Sequence, residues 1–145
     1  IDAEIAAAIA DELGLELVIE DIAFDSIIPE LVSGKADFAM AGMTVTEERK
    51  QSVDFSNTYA QASQKVIVQE GSEIATPVID EQPAEVFVSQ TEGLTILADS
   101  FTDEEYAAAV KKGNTALLNA INDALATLDE AGELDAIVAK YITAE

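Results

Sequence analysis

The sequence predicts an α/β fold, a mostly parallel sheet flanked by helices, and three observations carry that expectation. Ile5, Ile9 and Leu13 recur at four-residue spacing as on one face of a helix, and Leu15, Leu17 and Ile19 then alternate with polar neighbours as in a strand. A second short helix and a short apolar run at 37–41 follow after connections of a few residues, and strand, helix, strand is the grammar of a layer with parallel pairing. Two helical stripes close the chain, Leu117, Ile121, Leu125 and Leu128 in the first, Leu134, Ile137, Val138 and Tyr141 in the second.

Each element has its own local signals. Asp2 stands where it could cap the first helix, and Gly14 where a left-handed terminus is wanted. Residues 26–33 read as a helix closed by Gly34. Residues 65–69 make a strand, and Glu70, Gly71 and Ser72 mark a turn. Val78 and Ile79 are a brief strand, after which Asp80 is placed to cap a helix over 81–88 that tolerates Pro83 in its first turn. Residues 94–97 form another strand, and Gly132 separates the two closing helices. There is no internal repeat and no low-complexity segment.

Composition narrows the function classes. A chain of 145 residues suits one compact domain or two small lobes sharing a hinge. Its hydrophobic content of 49% is enough for collapse despite the charge. With 29 acidic against 7 basic residues the net charge is -22, which argues against nucleic acid and against an anionic membrane surface as partners. Such acidity fits a salty or exported setting and equally an acidic proteome. The absence of cysteine and histidine excludes disulfides, thiolate and serine-histidine nucleophiles and ordinary zinc sites. No metal or organic cofactor is implied. No apolar run approaches the length of a membrane span, and no basic leader precedes Ile1, so an export signal or anchor is expected to have been removed or never present.

The informative stretch is AGMTVTEERKQSVDFSNTY at 41–59, which sets polar equipment directly after a buried strand. Arg49 is the only arginine in this acidic chain. A lone guanidinium near the carboxyl end of a strand could grip a carboxylate in bidentate fashion, helped by the Thr44 hydroxyl and nearby amides, with Gly42 letting the backbone come close. Residue type alone leaves open a surface pair between Arg49 and Glu48 or Asp54.

Four ordered stretches resemble one family. IDAEIAAAIADELGLELVIED is similar to the first helix and following strand of the extracellular solute-binding proteins of family 3, which bind polar amino acids for ABC transporters. FDSIIPELVSGKADFAMAGMTVTEERKQSVDFSNTY resembles their central motif, PVIDEQPAEVFV their later aspartate motif, and AAAVKKGNTALLNAINDALATLDEAGELDAIVAKY their closing segment. The resemblance implies a type II periplasmic-binding-protein fold. It also implies that Gly42 offers its carbonyl to the ligand's α-ammonium group, that Thr44 binds both ends of the amino-acid backbone, and that Arg49 clamps the α-carboxylate. Asp80 matches the acid that neutralises the ammonium from the opposite lobe, and Phe24 an aromatic that packs on the ligand side chain. The chemistry agrees, since a zwitterion is held best by one cation, one anion and a few directed dipoles. Residue type alone leaves Phe24 equally a core residue and Asp80 equally a helix cap.

Two pieces of the family pattern are absent: the initial strand with its aromatic loop, and several dozen residues between Ile74 and Ala75 that would build most of the second lobe. The joint shows no linker chemistry, which points to a chain cut or represented in part; an engineered lobe and a naturally truncated relative are the alternatives. A truncated lobe is expected to pair its exposed edges with another copy as a dimer. The expected division is one lobe from 1–70 and 107–145, with hinge crossings and a remnant of the second lobe at 71–106. The implied function is extracytoplasmic binding of a polar or cationic amino acid, in the periplasm or anchored at the cell surface, and its delivery to an ABC transporter permease by lobe closure. A sensing module of a membrane receptor or kinase, or a self-associating fragment that binds nothing, is the alternative; residues 141–145 read as a natural end, which favours the transporter. An enzyme is not expected, because Asp80 is the only cleft acid available and no histidine accompanies it.

Overall fold

The computed structural model describes residues 1–71, 75–99 and 102–141. Its elements run α1 (Asp2–Glu12), α2 (Phe24–Ser33), β1 (Phe38–Ala39), a single 3₁₀ turn (Arg49–Gln51), β2 (Val53–Gln69), β3 (Ala75–Asp80), α3 (Glu81–Ser89), β4 (Leu94–Ile96), β5 (Thr102–Lys111), α4 (Thr115–Glu130) and α5 (Glu133–Tyr141). The turn expected at 70–72 reaches Gly71, at φ +80°. Ser72, and the Ile74 side of the joint with Ala75, lie outside the described residues.

Alanine-rich α1 forms by propensity and buries Ile5, Ala6, Ile9 and Ala10 along one face. Gly14 takes φ +66°, and the amides of Gly14 and Leu15 donate to the carbonyls of Asp11 and Ala10, the two closing bonds of a left-handed helix end. Asp2 does not cap this helix: Ile1 holds the cap position and no side-chain capping bond is made. The Asp2 carboxylate accepts the Tyr59 hydroxyl at 2.8 Å instead. Helix α2 starts two residues ahead of expectation and ends on Gly34 at φ +76°.

Two expectations fail. Residues 15–19 form no strand, and Val18 and Ile19 stand 77% and 62% exposed. A strand exists only through a neighbour's hydrogen bonds, and alternation cannot supply that neighbour. The α/β class holds, but the described pairs are antiparallel: β1 with β5 (Phe38↔Val110, Ala39↔Ala109), β2 with β3 and β2 with β4. Conversely, β2 runs for 17 residues where only 65–69 read as strand, and β5 was not anticipated. Serine, asparagine, glutamine and alanine dilute the alternation in β2, and acidic residues and a run of three alanines do so in β5, so packing and pairing decide them.

The chain divides into two compact units, Ile1–Tyr59 with Tyr106–Glu145, and Ala60–Glu105. In the first, α1 packs on α4 and α5, and Ile27, Leu31, Met43, Val53 and Ala109 form a core cluster. Residues 107–110 of β5 are wholly buried, which suits a strand with neighbours on both edges. Asn114 caps α4 by accepting the Leu117 amide. In the second unit, Val66, Ile67, Val68 and Ala84 are buried, and Lys65 pairs with Glu81 at 3.1 Å.

The Tyr59 hydroxyl is buried, and burial first, then the Asp2 carboxylate, pushes its ionisation far above the ordinary range. Tyr59→Phe is expected to cost about 1 kcal/mol in urea unfolding. At the surface, Glu4 accepts Lys140 at 2.6 Å and the Tyr141 hydroxyl, joining α1 to α5. These bonds, Lys140 first, lower the Glu4 ionisation and raise that of Lys140. The tie therefore holds at neutral pH, weakens as Glu4 protonates on acidification, and weakens again as Lys140 deprotonates at strongly alkaline pH. Glu4→Gln should be less stable than the parent at pH 7, with the gap closing in the acid range; a gap independent of pH would contradict the assignment.

Candidate functional site

The loop after β1 is stitched down before it carries any polar group outward. Met43 is fully buried, its carbonyl accepts the Ala107 amide, and Thr44 bridges Tyr106 in antiparallel fashion. Gly42 adopts φ +52°, a left-handed conformation that side chains resist. A backbone hydrogen bond from Gly42 reaches the Tyr59 hydroxyl. The glycine is thus held against the same phenol that Asp2 engages.

Arg49 follows at the start of the 3₁₀ turn. The Thr46 hydroxyl accepts its amide at 3.2 Å, and the Thr46 carbonyl accepts the Lys50 amide. The guanidinium then folds back: Nη1 donates to the Thr44 carbonyl at 2.8 Å, and the carbon at its centre lies 5.3 Å from the centre of the Phe24 ring. That separation is within cation–π range. Among the described residues, Arg49 makes no ion pair: Lys50 takes Glu47 at 2.8 Å, and Asp54 accepts the Gly113 amide at 2.7 Å. The surface pairing left open by residue type is not adopted. Of five guanidinium N–H donors, one is committed to Thr44, so a bidentate carboxylate can still be accepted.

Phe24 opens α2 and is 44% exposed, so it is not a core residue. Phe24, Thr44 and Arg49 come together, with Gly42 on the same loop. Asp80 belongs to the other unit. It holds the cap position of α3 without a side-chain capping bond, and it pairs in register with Gln64. Sequence reasoning missed Thr46, although a threonine three residues ahead of Arg49 has the spacing of an N-terminal cap. It also missed Tyr59 and Tyr106, whose roles depend on contacts far along the chain. Among the described residues no cluster of acidic side chains converges as a metal site, and no helix is long and apolar enough to cross a membrane.

A sequence profile of the bacterial extracellular solute-binding proteins, family 3, matches residues 1–144. A probable histidine-binding protein of Neisseria gonorrhoeae is 27% identical over 200 residues, covering 99% of this chain and 75% of the relative. That alignment is longer than the 145-residue chain, so dozens of positions in the relative have no counterpart here. The ABC transporter glutamine-binding protein GlnH of Bacillus subtilis is 32% identical over 195 residues, 97% of this chain and 71% of the relative. Among solved structures, an ancestral arginine-binding protein bound to arginine superposes with a TM-score of 0.86 at 31% identity, covering 97% of this chain and 87% of that one.

A Cβ at Gly42 would meet Tyr106 at 3.8 and 3.9 Å, ordinary contacts, so conformation and not space makes glycine necessary. Gly42→Ala is expected to lower stability by about 1–2 kcal/mol in urea unfolding, the cost of a left-handed alanine. No change would mean that the loop relaxes without harm.

Proposed function

The chain belongs to the bacterial extracellular solute-binding proteins, family 3, and we propose that it binds a free polar or cationic amino acid outside the cytoplasm and presents it to the permease of an ABC transporter. The observation that carries this reading is the guanidinium of Arg49, oriented by Thr44 and Phe24 and engaged with no carboxylate among the described residues. In a protein of charge -22 it is available for a carboxylate brought by a ligand.

Arg49 and Thr44 are the residues for the α-carboxylate, and the Gly42 carbonyl and Asp80 those for the α-ammonium group. Phe24 offers its exposed ring area to the ligand side chain. Relatives that bind histidine, glutamine and arginine support a polar or cationic cargo. The acidic field of the chain works in the same direction, since it attracts cationic amino acids and repels glutamate and aspartate. The role is binding and not catalysis, as in the transport proteins to which the chain is similar.

Thermal unfolding in the presence of single amino acids tests this. Arginine, histidine or glutamine at about a hundredfold over its dissociation constant should stabilise the protein by about 2.7 kcal/mol. Glutamate should do less. Arg49→Ala should abolish the effect, and Arg49→Lys should restore little of it, because an ammonium cannot reproduce the planar fork. A folded protein indifferent to every free amino acid would end the proposal.

A further inference from the structure

Arg49 rides on a 3₁₀ turn of three residues, too short to hold its own geometry. The leading end of the turn is fixed locally: Thr46 accepts the Arg49 amide at its hydroxyl and the Lys50 amide at its carbonyl. At the trailing end no further helical turn follows to satisfy the last carbonyls. Lys112 meets them from far along the chain. Its Nζ donates to the Lys50 carbonyl, 62 residues away, and at 3.3 Å to the Gln51 carbonyl. An ammonium with three donors can serve two carbonyls at once, and a lysine suits the carboxyl end of a helical turn.

Lys112 is itself held in place. It follows directly on residues 107–110 of β5, which are wholly buried, and the Gly113 amide beside it donates to the Asp54 carboxylate at 2.7 Å. The connection between β5 and α4 is thus fastened to residues 50, 51 and 54, around the end of the turn that carries Arg49. The use of charge here is also distinctive. Lys35, Lys50, Lys65 and Lys140 each pair with a glutamate, whereas Lys112 directs its ammonium to backbone carbonyls. We propose that Lys112 is a positioning residue for Arg49. By holding the trailing end of the turn it sets where the guanidinium meets the Thr44 carbonyl and the Phe24 ring, and so where a ligand carboxylate is received. The inference rests on the amino-acid site proposed above and adds to it a residue outside the contiguous motif at 24–59.

Because Arg49 is the only arginine, its Nε–H gives a single arginine signal in a proton–nitrogen NMR spectrum. The current in the Phe24 ring separates that signal from arginine free in water. In the ligand-free protein Lys112→Met should move the signal toward the free value. Calorimetry should show whichever of arginine, histidine and glutamine stabilises the parent binding about tenfold more weakly, the loss of one charge-assisted hydrogen bond. Lys111→Met removes the same charge one residue away and should change neither readout. Lys112→Arg can still donate to both carbonyls and should keep the parent affinity. The proposal is overturned if a folded Lys112→Met keeps either the parent signal or the parent affinity, if Lys111→Met loses as much, or if Lys112→Arg falls as far as Lys112→Met. A parent that binds none of the three amino acids would end the reading of the site, while the Arg49 signal would still decide whether Lys112 places the guanidinium.

Discussion

One arginine in a chain with 29 acidic residues would be expected to lie against a carboxylate, and the fold withholds every one of them among the described residues. That constraint organises the loop between β1 and β2. The Thr46 hydroxyl fixes the backbone at Arg49, the Thr44 carbonyl takes one guanidinium donor, and the Phe24 ring supplies a soft, uncharged surface. Each partner satisfies the cation in part without neutralising it. A cation held this way is preorganised for an anion that comes from outside.

The loop could not hold that posture alone. Its anchor is a buried phenol: Tyr59 donates to Asp2 at the start of α1 and receives a backbone bond from Gly42. Met43 and Thr44 are bound in turn to β5 at Ala107 and Tyr106. Asp2, Tyr59, Tyr106 and Ala107, far apart along the chain, therefore converge behind the three loop residues Gly42, Met43 and Thr44. The placement of these loop groups is a consequence of long-range packing, although the groups themselves are close in sequence.

The same unit leaves an edge of β1 and an extended apolar segment without backbone partners. Exposed strand edges are a hazard for self-association, and acidic side chains beside them are a known protection. Here Glu16, Glu20 and Asp21 interrupt the apolar run.

Local signals told much of this in advance. Helix periodicity, the glycines at 14 and 34, and the closeness of Thr44 and Arg49 after a short apolar strand are properties of neighbouring residues, and so they are legible in the sequence; that the strand is half-buried at the sheet edge is not. Family membership is legible for the same reason, because its motif is contiguous from Phe24 to Tyr59. What could not be read were properties of pairs far apart. The alternation at 15–19 has no knowledge of whether a neighbouring strand exists, and the polar residues of β2 and β5 hide strands that pairing with each other's sheet creates. Arg49 pairs with neither Glu48 nor Asp54, and Asp54 instead accepts the Gly113 amide, 59 residues away along the chain. By itself the sequence determined which chemical groups stand close along the chain; tertiary structure alone decided which of them remain unpaired, because hydrogen bonds and burial are settled by the whole fold.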